Sequence, residues 1–214
     1  MNPVTRAAML MLGLWVVLSC VTPWLSLQPD KVVLPAILEP PGEAYLLGAD
    51  DLGRPVLDRL LIGAGTSLRV AAAVISISLL LGTLFGATAA YLGGWWDRAL
   101  VLLLDVFMAF PGILLAIALA GILGPGIGNL VLALSLVGWV GCARLSRAQV
   151  LSLKNREHLQ AATVLGSKLP RIVGRHLLPL IAAPLVVEAT FGVAAVVIAE
   201  SGLSFLGLGV QPPD

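Results

Sequence analysis

Charge is what this sequence most lacks. Only 12% of its 214 residues are Asp, Glu, Lys or Arg, against roughly a quarter in an ordinary soluble domain. So little charge cannot clothe a water-facing surface, which excludes a soluble globular domain. The net charge of +1 gives no basic surface for nucleic acid and no polybasic lipid anchor. Cysteine is nearly absent: Cys20 and Cys142 stand in apolar stretches without metal-ligand spacing and read as small packing residues. The two histidines, His158 and His176, also lack zinc-type spacing. No Gly-rich loop of the P-loop type occurs, so the chain itself carries no means of hydrolysing nucleotide. No nucleophile–base pair or metal-ligand cluster points to another enzyme.

What fills the sequence instead is apolar. Hydrophobic residues make up 58% and the mean hydropathy is +0.99. A membrane-crossing helix needs about 20 largely apolar residues to pass about 30 Å of hydrocarbon. Five segments meet or approach that requirement: 7–27, 67–92, 99–123, 127–142 and 177–199. Arg6 ahead of the first makes it look like a secretory leader, but no small-x-small cleavage site follows, and an uncleaved span is expected. The fold class is therefore all-α, a polytopic transmembrane helical bundle with five predicted spans.

Lys and Arg placement sets the expected orientation. One side carries Arg6, Arg98, Arg144, Arg147, Lys154, Arg156, Lys168, Arg171 and Arg175; the other carries Lys31, Arg54 and Arg59. The nine-residue side is expected to be cytoplasmic, which puts the N-terminus inside and Asp214 outside. The outer segment 28–66 is first Pro-rich, then offers Leu57, Leu60 and Leu61 at helical spacing after Pro55, which suggests a short interfacial helix.

The cytoplasmic segment 144–176 is too polar for lipid and reads as two short helices. The first covers 157–165 and Gly166 ends it; Ser167 and Pro170 start the second. Ala161, Val164 and Leu165 gather on one side of the first helix, an apolar patch that calls for a protein partner or the membrane surface. A plain connecting loop is the alternative.

Within the spans, Ser78, Gly82, Gly86 and Ala90 recur every four residues, a ridge that admits another helix backbone. Phe110-Pro111-Gly112 should kink the third span, and Pro184 gives the fifth a possible bend. Ionisable groups inside spans are costly and face protein or water. Asp105 lies about two turns inside the third span, on a face with Arg98, Met108 and Gly112. It is expected to pair with Arg98 or a loop arginine, or else to border the path. Glu188, mid-way along the fifth span beside Pro184, Gly192 and Ala195, is expected at a helix interface or on the translocation path.

Four stretches resemble the inner-membrane permeases of dipeptide, oligopeptide and nickel ABC importers, specifically the shorter-type permease of each pair. LGADDLGR over 47–54 is similar to the family's LGTDxLGRD. YLGGWWDR over 91–98, then Asp105 and AFPG from Ala109, resembles its loop and third span. Gln160-Ala161-Ala162, Gly166, His176, Leu178 and Pro179 resemble the EAA-x3-G-x9-I-x-L-P coupling motif, with Gln160 in place of Glu. ESGLSFLGLGV over 200–210 is similar to the stretch after the fifth span. Ala49, Pro55 and Gly65 depart from residues common in the family.

The resemblance implies a type I ABC importer permease. It implies a coupling helix holding Glu157, Gln160, Ala161, Ala162, Leu165 and Gly166 against a partner ATPase. It also implies a second permease subunit, two ABC ATPases that hold ATP and Mg, an extracytoplasmic solute-binding protein and surrounding membrane lipid, in the inner (plasma) membrane. No cofactor is expected on this chain. Asp105, Glu188 and Glu200 are the candidate path residues, and a peptide or a small metal complex such as nickel is the implied cargo. On this reading 1–66 form an N-terminal helix with an extracytoplasmic segment, and 67–214 form the permease core with coupling loop 144–176. The family's sixth span has no counterpart before Asp214, so a shortened or truncated permease, an inactive scaffold subunit and an ion-coupled secondary transporter are the competing readings.

Overall fold

A computed structural model describes residues 2–210; residues 211–214, the end expected outside the membrane, lie outside the described residues. The elements in order are α1 (Pro3–Val21), α2 (Val56–Leu92), α3 (Gly94–Met108), α4 (Gly112–Leu123), α5 (Ile127–Leu153), α6 (Glu157–Val164), α7 (Leu169–Arg171) and α8 (Leu178–Phe205). Among the described residues the nearest thing to a strand is an isolated bridge between Ala49 and Pro55. Four helical stretches are long and apolar enough to cross a membrane, and α3 with α4 makes a fifth if the bent pair is one span.

The chain divides into two compact units, 1–69 and 70–214. In the first, α1 meets the N-terminal turns of α2 through small polar residues. Ser19 Oγ donates to Ala64 O at 3.2 Å and Thr22 Oγ1 to Leu18 O at 2.7 Å, so both buried hydroxyls are satisfied. The segment between these helices folds around Asp50. Its Oδ1 accepts from the backbone N–H of Leu52 and of Arg54, both at 2.9 Å, and its Oδ2 from Arg54 Nε at 2.8 Å and from the Arg59 guanidinium. Gly53, at φ +73°, approaches Val33 so closely that an added Cβ would lie 2.0 Å from its carbonyl oxygen. The LGADDLGR stretch is thus a folded knot. The expected separate interfacial helix is absent: residues 56–66 are the first turns of the 37-residue α2, because Val56 onward continues apolar helical spacing with no proline to stop it, and Gly63 and Gly65 are tolerated within the helix.

In the second unit α5 is the central element. Leu130, Ala133 and Leu134 pack with Val70 and Val74 of α2 and Ala116 of α4. Trp139, Val140 and Ala143 pack with Leu100 and Leu104 of α3. Val150 and Leu153 pack with Ala87 and Ala90 of α2 and Ile181 of α8. The expected small-residue ridge is the α2–α5 contact. A Cβ on Gly82 would sit 2.6 Å from Trp139 O, and one on Gly86 2.4 Å from Ala143 O. Opposite them, Gly138 leaves room for Ser78 Oγ. Trp139 closes the layer, edge-on to Phe85 at 6.1 Å and to Phe107 at 5.7 Å.

The expected kink of the third span is a full break. Helix α3 ends at Met108, α4 begins at Gly112, and their axes differ by 83°. Pro111 occupies the N-cap of α4 in an extended conformation with ψ 123°. It lacks the N–H that would continue α3, and the residue before it is pushed out of the helical region.

The fifth span is longer than expected. Helix runs from Leu169 to Phe205, with π-helical Ile172–Leu177 joining α7 to α8. Pro179 explains the wide turn, since its missing N–H and its ring disallow an ordinary bond to the carbonyl four residues back. The second cytoplasmic helix is therefore the start of this span. Lys168, not Ser167, holds its N-cap, and no side chain caps it. Pro184 sits inside α8 without interrupting it.

Candidate functional site

At one end of the second unit the chain gathers its basic residues and α6. Leu159, 1% exposed, and Ala162 form the inward face of α6, and Leu159 packs with Val150, Leu153, Ile172 and Leu177. One further link fixes this helix to the bundle, Tyr91 OH lying 3.0 Å from Thr163 Oγ1, while Lys154 Nζ at the end of α5 donates to Ala90 O of α2 at 3.3 Å. Glu157, Gln160 and Ala161 are exposed, and Val164 and Leu165 stand out at 87% and 85%. Of the expected apolar patch, Ala161, Val164 and Leu165 thus face outward together.

Gly166 ends the helix at φ +79°. Its N–H donates to Thr163 O at 2.9 Å, and the Ser167 N–H to Ala162 O at 3.0 Å, the paired bonds of a Schellman ending. The turn after Gly166 is therefore fixed by backbone bonds. The same ending recurs where α8 stops: Gly207 N–H donates to Ser204 O and Leu208 N–H to Leu203 O. Gly209 is needed there too, because a Cβ would fall 2.0 Å from Ser204 Oγ. The SFLGLG stretch is accordingly a helix stop. Its Gly209 carbonyl accepts from Gly126 N–H of the α4–α5 turn at 3.4 Å.

The ionisable groups in the spans stand in three different surroundings. Asp105 is exposed and, among the described residues, makes no ion pair with Arg98 or any other arginine. The carboxylate that pairs is Asp97, one helical turn into α3, held by Arg147 Nε at 2.6 Å and Nη2 at 2.8 Å. Asp97 is in the YLGGWWDR stretch, and sequence reasoning missed it. The 83° break also removes Gly112 from the Asp105 face. Asp105 instead lines a cleft of about 760 Å³ with Met108, Gly141, Arg144 and Arg147.

Glu188 is half-buried on α8, at a helix interface as expected: a Cβ on Gly141 of α5 would lie 3.0 Å from its Oε1. Glu200 is buried, 8% exposed, and lies twelve residues along α8 from Glu188, roughly 18 Å at the helical rise. The three acids do not converge on one site. Outside the spans, burial pushes the Asp50 carboxyl upward, but the N–H groups of Arg54 and Leu52 and the two guanidiniums outweigh it. The net effect holds Asp50 well below the usual carboxylate range.

Apolar side chains such as Leu10, Ile122, Ile198 and Phe205 face outward at 74%, 82%, 74% and 90% exposure. Bundles with such a rind and satisfied helical backbones are built for lipid and neighbouring subunits. The class so defined is a polytopic helical membrane subunit with an outward-facing cap helix at one end. The chain belongs to the family of binding-protein-dependent transport system inner membrane components, whose description matches residues 78–214.

Relatives agree. The dipeptide transport system permease protein DppC of Bacillus subtilis (strain 168) is 38% identical over 215 residues, 99% of this chain and 67% of that protein. A putative peptide transport system permease protein of Brucella suis biovar 1 is 37% identical over 209 residues, 97% of this chain and 70% of its own length. The glutathione transport system permease protein GsiD of Escherichia coli O6:K15:H31 is 40% identical over 173 residues, 81% of this chain and 57% of that protein. This chain is a multi-pass inner-membrane permease component.

Proposed function

We propose that this chain forms, with a second permease subunit, the membrane path of an ATP-driven importer of short peptides. Two ABC ATPase subunits holding ATP and Mg would drive it, and an extracytoplasmic solute-binding protein would deliver cargo. The relatives described above are named for dipeptide, peptide and glutathione transport, which favours peptides over nickel. The observation that carries the reading is α6: one face is anchored on α5 and the start of α8, while Gln160, Ala161, Val164 and Leu165 are outward and without cover. A short helix so mounted suits a groove on an ATPase, and Gly166 lets the chain turn sharply away from it.

The side that holds α6, Asp97, Arg147 and Lys154 is then cytoplasmic, the N-terminus lies inside, and the Asp50 knot faces out. Asp105 and Glu188, on either side of Gly141 in α5, border the path. The test is co-purification. Val164→Asp or Leu165→Asp should leave the chain inserted and paired with its permease partner, yet strip the ATPases and abolish peptide uptake. ATPases that stay bound to a Val164→Asp, Leu165→Asp double variant would remove α6 from the coupling role.

A further inference from the structure

Arg144 is the unusual residue of the α3–α5 cleft. It lies in α5 two residues past the apolar run 127–142, is exposed, and the one hydrogen bond of its side chain among the described residues runs from Nη1 to Met108 Sδ at 2.9 Å. A thioether is a weak acceptor, and a guanidinium has five donors to place. An arginine at the edge of a span pairs or faces water. Across the same cleft the Asp105 carboxylate has neither hydrogen bond nor ion pair among the described residues, although both residues line it. Arg147, the other arginine there, is taken by Asp97. Among the lining residues the charges of Arg144 and Asp105 therefore remain uncommitted, beside the small residues Ala109, Gly141 and Ala148, and Glu188 Oε1 lies close to Gly141. The room continues along the chain break: Met108, Gly141 and Arg144 also border an adjoining space with Phe110, Gly112 and Leu115.

We infer that this cleft is a zwitterion site, in which Arg144 receives the terminal carboxylate and Asp105 the terminal ammonium of a short peptide. The chemistry matches at both ends. A guanidinium takes a carboxylate through two parallel N–H bonds, and a free peptide carries an ammonium at neutral pH. At about 760 Å³ the space falls within the range of small-molecule sites. The small residues on the floor leave the side chains of the peptide unread, so the cleft recognises the two termini and tolerates sequence. This rests on the peptide-importer reading above.

The experiment uses the complete permease–ATPase complex in lipid nanodiscs without the solute-binding protein. Binding of radiolabelled dialanine is measured in competition with dialanine, N-acetyl-dialanine and dialanine amide. The intact complex should prefer the free dipeptide over either blocked form by about tenfold, the usual weight of one charged hydrogen-bonding partner. Asp105→Asn should erase the preference against the acetylated peptide alone, and Arg144→Gln the preference against the amide alone. Equal loss for all three ligands, or unchanged preferences in both variants, overturns the assignment. So does loss of the second permease subunit from either variant on size-exclusion chromatography, which would make the cleft a subunit contact. ATP-dependent dialanine uptake by the intact importer separates the two levels. If it is absent, the peptide reading itself fails; if it is present with unaltered preferences in the variants, only the cleft assignment does.

Discussion

At the scale of single residues, the helix contacts are decided by atoms that are missing. Gly86 lets α2 approach α5 until a Cβ would lie 2.4 Å from Ala143 O, and a backbone carbonyl cannot swing aside as a side-chain tip can. Gly86→Ala should therefore destabilise the bundle by about 2 kcal/mol through overpacking. Gly121→Ala should do the opposite: α4 has open space there, and alanine favours a helix interior by about 0.5–1 kcal/mol. Thermal unfolding of the purified chain in one detergent reads both signs. Asp50 offers a second residue-scale test. Its carboxyl is held below its ordinary value, so the folded segment binds fewer protons than the unfolded one. The stability it lends is fully present above about pH 4. It is lost as pH falls through the folded value. Limited proteolysis of 28–66 in membrane vesicles should stay slow from neutral pH to about pH 4 and accelerate below it. Asp50→Asn should be cut readily at neutral pH and lose that acid-dependent step.

At the scale of elements, the apolar runs were legible because lipid imposes a length and a composition, and the small-residue ridge was legible because its period is four. The ends were not. Residues 56–66 carry enough polar residues to look like a surface helix, yet nothing in them stops a helix, so α2 simply begins earlier. The break at Phe110-Pro111 was visible as a proline, but 83° depends on how α4 packs Ala116 and Ala120 against α5, which no local signal contains. Spacing alone also left the partner of Arg147 unidentified. Asp105 looked conspicuous for its depth, whereas Asp97 in the first turn of α3 is the one that meets Arg147, because α3 and α5 cross where those two side chains face each other. Their side chains are 18% and 30% exposed, so solvent still screens the pair. A double-mutant cycle of Asp97→Asn and Arg147→Gln, followed by unfolding in mixed micelles, should return a coupling of about 1 kcal/mol. A coupling near zero would mean that the contact is incidental to how α3 is held.

At the scale of the whole molecule, the proposed coupling role of α6 asks how a push on it would reach the spans. Leu159 is the buried joint: it is 1% exposed and packs with the ends of both α5 and the α7–α8 helix through Val150, Leu153, Ile172 and Leu177. The Schellman turn at Gly166 and the Tyr91–Thr163 contact hold α6 at a fixed angle, so a displacement of the helix must move its anchors. Substituting the anchor should behave unlike substituting the outward face. Leu159→Ala keeps Val164 and Leu165 available to an ATPase but leaves a void at the joint, at a cost of about 2–5 kcal/mol for a buried leucine. In reconstituted vesicles the ATPases should remain bound and continue to hydrolyse ATP, while peptide taken up per ATP falls several-fold. Val164→Asp should instead lose the ATPases altogether. If Leu159→Ala imports as many peptides per ATP as the unaltered chain, the push travels by another route, and the Tyr91–Thr163 contact is the remaining connection to probe.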